Sequence, residues 1–423
     1  MVTLEAAARY AKHLRERVQL VERHIADQVC PEPASRAATA GPHRIVHEDH
    51  PGHASATAFH AGRIPTVTRL GHLHGPDFTF NGVPACDWRD PATYADADVV
   101  IIGAPFDGGT SHRPGTRFGP AAVRGCDYLP YDGDRPHLSM RVEPLATDLV
   151  VKDAGDVAVY GGEVLRSCQA IEEAVAFVAT HGAIPLILGG DHTITWPDVT
   201  GVSRHTGAGR VSVIHFDAHA DTGDIAFGSL YGHGQPMRRL IESGAVRGDR
   251  FLQLGLRGYW PPPDVLDWMA EQGMHSFHMS EIVERGLDTV LDEAFEIALD
   301  GCESVFLSVD IDVCDPGHAP GTGTPEPGGM SARQLLDAVS RICHELPVAG
   351  MDLVEVSPPY DHAEITALLG NRVVLEALSG MARKRRDARD GVRWSRATPM
   401  LQGRSVPSPP EAPGPGVGAP PQP

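Results

Sequence analysis

Short apolar runs alternate with longer segments of helical periodicity between about residues 97 and 385, and this alternation restricts the fold more than any other feature of the chain. Strands that alternate with helices form a mostly parallel sheet, and near-continuous apolar runs are typical of strands buried on both faces. The sequence therefore predicts an α/β fold whose sheet is covered by helices on both sides. Predicted strands lie within 99–107, 184–192, 211–219, 251–257, 304–312 and 351–358, and predicted helices near 163–180, 235–245, 281–300, 331–344 and 363–383.

The segments on either side of this region have a different composition. Residues 3–29 carry an apolar stripe at helical spacing, whereas residues 30–93 are rich in Pro, Gly, Ala and His and show little periodicity. An accessory metal site is the alternative to a solvated arm for those histidines. Residues 399–423 contain nine prolines, which predicts a disordered tail. We predict an N-terminal helix and loop-rich arm over 1–93, a catalytic domain over 94–390 and a Pro-rich disordered tail over 391–423.

The charge balance limits the partners of the chain. It has 36 Lys and Arg against 55 Asp and Glu, a net charge of −19 at neutral pH. Such a chain suits metal ions and cationic small molecules, and it is a poor candidate for holding nucleic acid or an anionic membrane by bulk charge. No apolar run approaches the ~18–20 residues that span a bilayer, and the charged N-terminus lacks a signal-peptide segment. We therefore expect a cytoplasmic protein without nucleic-acid or membrane partners.

Acidic and imidazole residues follow four of the predicted strands. Ligands bind beyond the carboxyl ends of the strands of a parallel sheet, so four segments that are distant in sequence would deliver these side chains to one edge. The residues are Asp191 and His192 in GGDH, Asp217, His219 and Asp221 in DAHAD, Asp310 and Asp312 in SVDID, and Glu355 in LVEV.

The spacing within these motifs favours a metal site. Asp217, His219 and Asp221 alternate at period 2, so a strand that ran straight through them would point all three the same way, and the same holds for Asp310 and Asp312. Carboxylates buried together raise one another's pKa values steeply unless cations neutralise them. Either motif alone could be a hydrogen-bonded surface cluster, but the combination predicts two divalent ions about 3.5–4 Å apart. Oxygen and imidazole ligands favour Mn²⁺, with Ni²⁺, Co²⁺ or Zn²⁺ as competitors.

Over residues 97–385 the chain resembles the ureohydrolase family, that is, arginase, agmatinase and their relatives. The motifs that carry the resemblance are APFDGGTSHRPGTRFGP, GGDHTIT, HFDAHADT, HGQP, SVDIDVCDPGHAPGTGTPEPGG and VEVSPPYD. The resemblance implies a three-layer α/β/α fold and assembly into homotrimers or homohexamers. It also implies that one metal is held by His192, Asp217, Asp221 and Asp310, and the second by His219, Asp217, Asp310 and Asp312, with Asp217 and Asp310 bridging.

The same resemblance implies catalytic roles for Asp221, His233 and Glu355. Two adjacent cations acidify a shared water, which would attack the central carbon of a guanidinium group. Glu355 would accept hydrogen bonds from that guanidinium in a planar two-point pairing, and His233 would shuttle the proton to the departing nitrogen. A loop histidine without chemistry is the alternative for His233.

The substrate is less constrained than the reaction. Residues 222–232 contain Ser229 but no Asn, which disfavours arginine, and the RPGTRFGP element resembles agmatinase-like members. Tyr259 and Trp260 would form an aromatic wall that shortens the pocket, and Trp260 would bind the substrate cation with its aromatic face; ordinary packing is the alternative. We therefore predict hydrolysis of agmatine or a similar guanidino compound to urea and an amine. One alternative is 4-guanidinobutyrate, and another is free guanidine, because the aromatic wall together with the long N-terminal arm resembles the guanidine hydrolase branch. A non-catalytic relative is disfavoured by the complete set of site residues.

Overall fold

The computed structural model describes residues 78–129 and 131–395, which lie in one of two compact units of the chain, Ile64–Pro423. The predicted helix over 3–29, the arm before residue 78 and the tail beyond residue 395 fall outside the described residues. The described strands are β1 Val99–Ala104, β2 Val151–Asp156, β3 Ile184–Gly189, β4 Val211–Phe216, β5 Phe251–Leu256, β6 His275–His278, β7 Ser304–Asp310 and β8 Val348–Val354.

The eight strands form one parallel sheet in the order β2-β1-β3-β8-β7-β4-β5-β6. Connections between parallel strands need a crossover, and helices supply most of them. The helices are α1 Gly119–Gly125, α2 Val164–Thr180, α3 Thr195–Thr206, α4 Pro236–Glu242, α5 Pro263–Glu271, α6 Met279–Arg285, α7 Leu287–Leu299, α8 Ala332–Glu345 and α9 Ile365–Asp390.

Two apolar cores lie on the two faces of the sheet. Side chains alternate across β1, so that Val99 and Ile101 enter one core while Val100 and Ile102 enter the other. The first core includes residues of α1, α6, α7, α8 and α9, and the second includes residues of α2, α3 and α4. This arrangement confirms the predicted three-layer α/β/α fold with a parallel central sheet.

The structure departs from the predicted elements at the sheet edges and at one helix. Strands β2 (VKDAGD) and β6 (HSFH) were not predicted, because an edge strand does not need a continuous apolar run. The single helix predicted near 281–300 is wrong, since Gly286 adopts a φ of 83° between α6 and α7. A positive φ is favourable for glycine and ends a right-handed helix.

Helix α9 bears on the predicted absence of a membrane span. By length and composition it is the one described helix that could cross a bilayer. The expectation that no apolar stretch is long enough to span a membrane is therefore wrong for α9. However, 78% of its apolar window is buried inside the protein, as in the core helix of a soluble enzyme fold. The cytoplasmic location stays a prediction.

Candidate metal centre

Four neighbouring strands in the middle of the sheet carry the predicted site. Strands β3, β8, β7 and β4 are adjacent in the sheet, and each ends at the same edge because all are parallel. The segments that follow them contain His192, Glu355, Asp312 and Asp217, while Asp310 is the last residue of β7. The sheet order therefore brings together segments that are more than 160 residues apart in the chain.

The turn after β3 depends on Gly190. Its φ is +65°, and a Cβ at this position would lie 2.5 Å from the carbonyl oxygen of Ala104. The following Asp191 accepts hydrogen bonds from the backbone N–H groups of Thr193 (3.0 Å) and Gly109 (2.7 Å). Asp191 thus caps the short 3₁₀ helix His192–Ile194 and fixes the loop that carries His192.

Tight turns, and not extended strands, make the side chains of DAHAD and SVDID converge. Strand β4 ends at Phe216, and Asp221 has a left-handed φ of 51°. Asp310 caps the 3₁₀ helix Ile311–Val313 by accepting a hydrogen bond from the N–H of Asp312 at 2.8 Å. The interpretation of both motifs as strands running straight through is therefore wrong.

One imidazole lies among three carboxylates. Nδ1 of the fully buried His192 is 3.0 Å from Asp217 Oδ2, 2.9 Å from Asp221 Oδ2 and 3.1 Å from Asp310 Oδ2. These four residues are the set that the resemblance gave to the first metal.

A second imidazole faces the other side of Asp217. Nδ1 of His219 is 3.4 Å from Asp217 Oδ1 and 3.2 Å from Asp312 Oδ2. Asp217 therefore presents one oxygen to each imidazole, as a bridging carboxylate would. Among the described ion pairs, Asp310 contacts His192 and not His219, so its own bridging role stays a prediction.

The electrostatics of this cluster fit a pair of cations. Burial, followed by the charges of Asp312 and Asp217, raises the pKa of Asp310 well above its ordinary value. Burial alone would lower the pKa of the imidazoles, but their carboxylate neighbours raise that of His192 well above its ordinary value and that of His219 to about 12. Four carboxylates and two imidazoles that face one another, with only N and O donor atoms, form a donor set suited to divalent transition metals.

Glu355 and His233 form a pair beside this cluster. Glu355 is buried, and its Oε1 accepts hydrogen bonds from the N–H of His192 (2.8 Å) and from Nδ1 of His233 (2.9 Å). Its Oε2 is buried without a hydrogen-bond partner. One oxygen of Glu355 thus lacks a protein donor, although Glu355 is not among the described residues that line the cleft. The predicted two-point pairing also requires His233 to release Oε1.

The second ring nitrogen of His233 lies against Ser111. Nε2 is 3.0 Å from the backbone N–H of Ser111 and 2.6 Å from its Oγ. The N–H can donate to the neutral ring, and Oγ can accept from the protonated ring. Burial would lower the pKa of His233, but the charge and hydrogen bond of Glu355 raise it to about 9.

A cleft of about 830 Å³ lies beside the cluster. The described residues that line it include His219, Asp221, His233, Trp260 and Asp310. The neighbouring Tyr259 is fully exposed and is not among the described residues that line the cleft, so an aromatic wall built from both residues is wrong.

Sequence reasoning missed several residues of the site. His215 and Gln253 lie side by side in β4 and β5 and connect to Asp217, and Phe227 stands exposed at the cleft. A signal was available for the first two, because His and Gln are large polar residues in the mostly apolar runs VSVIHF and FLQLGL. Loop residues such as Phe227 give no comparable signal.

A parallel α/β/α sheet whose adjacent strand ends gather imidazoles and carboxylates is typical of metal-dependent hydrolases. The family model of the arginase family matches residues 97–380, and the chain belongs to that family. The predictions of the ureohydrolase family and of a hydrolase are thereby confirmed.

The matches to named relatives span most of the length of each relative. The chain is 37% identical to the guanidinobutyrase of Pseudomonas aeruginosa over 75% of this chain and 92% of that protein. It is 38% identical to the mitochondrial agmatinase of Gallus gallus over 66% of this chain and 80% of that protein.

Solved structures match the fold. The proclavaminate amidino hydrolase from Streptomyces clavuligerus has a TM-score of 0.64 and 36% identity, covering 74% of this chain and 99% of that chain. The formiminoglutamase of Trypanosoma cruzi with Mn²⁺ has a TM-score of 0.62 and 26% identity, covering 68% and 94%.

Proposed function

We propose that the chain hydrolyses the guanidino group of a small cationic substrate, agmatine or a close analogue, to urea and an amine. Membership of the arginase family supports the guanidino chemistry. The observation that carries the proposal is the unpartnered, buried Oε2 of Glu355, whose other oxygen is held by His192 and His233. Such an oxygen beside the candidate metal centre suits the N–H donors of a guanidinium group.

The lining of the cleft supports a cationic tail on the substrate. The described residues that line it include the outer acids Asp224 and Asp264 and no Lys or Arg. Arg239 pairs with Asp224 at 3.1 Å, which leaves Asp264 as the main source of negative charge at the entrance. This negative charge would repel a carboxylate tail and attract a protonated amine tail.

The residues have the following roles in this proposal. His192, Asp217, Asp221 and Asp310 would hold one divalent ion, and His219, Asp217, Asp310 and Asp312 the other, with Mn²⁺ as the first choice and Ni²⁺ as the second. When bound, the two ions would acidify the attacking water and offset the negative charge.

The remaining steps belong to side chains. Glu355 orients the guanidinium, and Trp260 packs against the rest of the substrate. His233 donates a proton to the departing amine, since its pKa of about 9 keeps the ring protonated at neutral pH. We also propose a cytoplasmic homotrimer or homohexamer.

A guanidinobutyrase is the second candidate function, because a relative of that name is 37% identical. Free guanidine is a further candidate if Trp260 shortens the cleft.

Urea release after loading with Mn²⁺ or Ni²⁺ tests these candidates. We expect kcat/KM to be highest for agmatine, lower for the uncharged butylguanidine and lowest for 4-guanidinobutyrate, with arginine and guanidine also assayed. A preference for 4-guanidinobutyrate contradicts the cationic tail, and no urea from any of these substrates with either metal contradicts the function.

Asp264→Asn isolates the contribution of charge at the entrance. Because Asp264 is exposed, we expect agmatine to lose roughly two- to fivefold of its advantage over butylguanidine, as for exposed ion pairs. The matched control is Asp267→Asn on the same helix, also exposed but outside the described lining. Equal effects of the two variants would attribute the preference to overall charge.

A further inference from the structure

We infer that His215 and Gln253 are positioning residues that hold the carboxylate of Asp217 in its bridging orientation. His215 and Gln253 are fully buried and directly paired in the register of β4 and β5. Nε2 of His215 lies 2.9 Å from Asp217 Oδ2, and Nδ1 lies 3.2 Å from Nε2 of Gln253. The inference rests on the proposed dinuclear site but concerns residues outside its ligand set.

The orientation of the Gln253 amide follows from its neighbours. The carbonyl oxygen of Ala220 can only accept, so the Gln253 atom 2.7 Å away from it is the nitrogen. The other amide atom, Oε1, then accepts a hydrogen bond from Ser276 Oγ at 3.2 Å, on the neighbouring strand β6. No alternative orientation satisfies both contacts.

This orientation fixes the tautomer of His215. An N–H of Gln253 points at Nδ1, so Nδ1 carries the lone pair and Nε2 carries the proton. Nε2 therefore donates to Asp217 and is not free to bind a cation, although His192, His215 and Asp217 lie close enough together to form a metal-binding group.

Asp217 consequently receives one fixed donor on each oxygen. His215 donates to Oδ2, and the backbone N–H of His219 donates to Oδ1 at 2.6 Å. Oδ2 faces His192 and Oδ1 faces His219. Each oxygen thus keeps its remaining lone pair for the ion on its own side, which is the geometry that a bridge between two ions needs.

The test measures metal affinity directly. Mn²⁺ dissociation constants are determined by competition with a chelating dye, and metal content is determined by mass spectrometry, for the full chain. His215→Phe removes the donor, whereas His215→Gln keeps a nitrogen donor near the position of Nε2. We expect His215→Phe and Gln253→Met to weaken binding about 10- to 100-fold, as outer-shell partners of metal ligands do, and His215→Gln to stay within about threefold of the parent.

Controls separate positioning from folding. Ser212→Ala removes another buried polar side chain of β4, one that contacts Ser304 and faces the opposite core, and should leave affinity unchanged. In the double variant, Gln253→Met should add less to His215→Phe than it costs alone, because Gln253 acts partly through His215 and partly through its hydrogen bond to Ala220. If His215→Phe does not fold, Gln253→Met carries the comparison.

Three outcomes would overturn the inference: parental affinity in a folded His215→Phe or Gln253→Met, equal losses in His215→Gln and His215→Phe, or additive losses in the double variant. A parent chain that binds no metal would instead overturn the proposed function, so the two failures are distinguishable.

Discussion

The metal cage and the cleft mouth are built in different ways. The metal cage, defined here as His192, Asp217, His219, Asp221, Asp310 and Asp312, is largely buried and linked by hydrogen bonds to the central strands. The cleft mouth, residues 223–231 and 260–265, holds exposed side chains such as Phe227, which is 92% exposed. The proposed reaction thus lies in a buried region with many polar contacts, and the proposed choice of substrate lies in a region with few packing constraints.

The largest expected effect comes from breaking the cage at its shared carboxylate. Asp217→Asn removes the charge that faces both imidazoles, so we expect the loss of at least one ion per subunit. Activity should fall by more than the roughly 10- to 100-fold that outer-shell changes cost. Metal content and urea release measure both effects.

Asp352→Asn is the control for Asp217→Asn. Asp352 is equally buried, in β8, and its Oδ2 accepts a hydrogen bond from Thr195 Oγ1 that the Asn oxygen can still accept, so this variant should keep two ions. If Asp217→Asn also keeps two ions per subunit, the bridging assignment is wrong.

His233 lies between the metal cage and the cleft mouth. Replacing its side chain should lower activity without lowering the metal content. We expect His233→Asn to lower kcat by about 10²- to 10⁴-fold, the usual contribution of a general acid or base. Metal content should be unchanged, because His233 contacts Glu355 and Ser111 and no member of the cage. A loss of metal would show that His233 supports the cage instead.

The pH dependence of the reaction sharpens this role. A group that must be protonated to act is active below its pKa, so activity should decline as the pH rises through about 9. Glu355→Gln removes the anion that raises this pKa, and the alkaline limb should move to lower pH, towards the ordinary value near 6.5.

Ser111→Ala serves as the reference for that shift. It keeps the anion of Glu355 and the backbone N–H in contact with His233 and removes only the neutral Oγ, so its alkaline limb should move much less than that of Glu355→Gln. An unmoved limb in Glu355→Gln would mean that another group controls the alkaline side of the profile.

The smallest expected effect lies at the cleft mouth. Trp260→Ala should open the wall and move the preference towards longer guanidino compounds by roughly fivefold, the size of a cation–π contact of about 1 kcal/mol. Tyr259→Ala removes an adjacent aromatic ring that does not line the described cleft and should change nothing. Unchanged preference in Trp260→Ala rejects the aromatic wall.

The same contrast explains what the sequence could predict. The six predicted strands are strands of the sheet with long apolar runs, because burial on both faces leaves a recognisable pattern. The cage residues lie at or just after the ends of three of them, β3, β4 and β7. The edge strands β2 and β6 lack that pattern and were missed.

Local backbone geometry was harder to predict from the sequence than the strands were. The left-handed conformation of Asp221 and the 3₁₀ turn that carries Asp312 replace the predicted straight strands, although the side chains still converge. Trp260 and Phe227 lie in loops, where neither periodicity nor burial constrains the residue type. Their contribution to the cleft depends on tertiary placement alone.

Anomalous diffraction from crystals of the Mn²⁺-loaded protein tests the central claim most directly. We predict two peaks about 3.5–4 Å apart, one bound by Nδ1 of His192 and the other by Nδ1 of His219, with Asp217 between them. A single peak, or none among these side chains, would contradict the account.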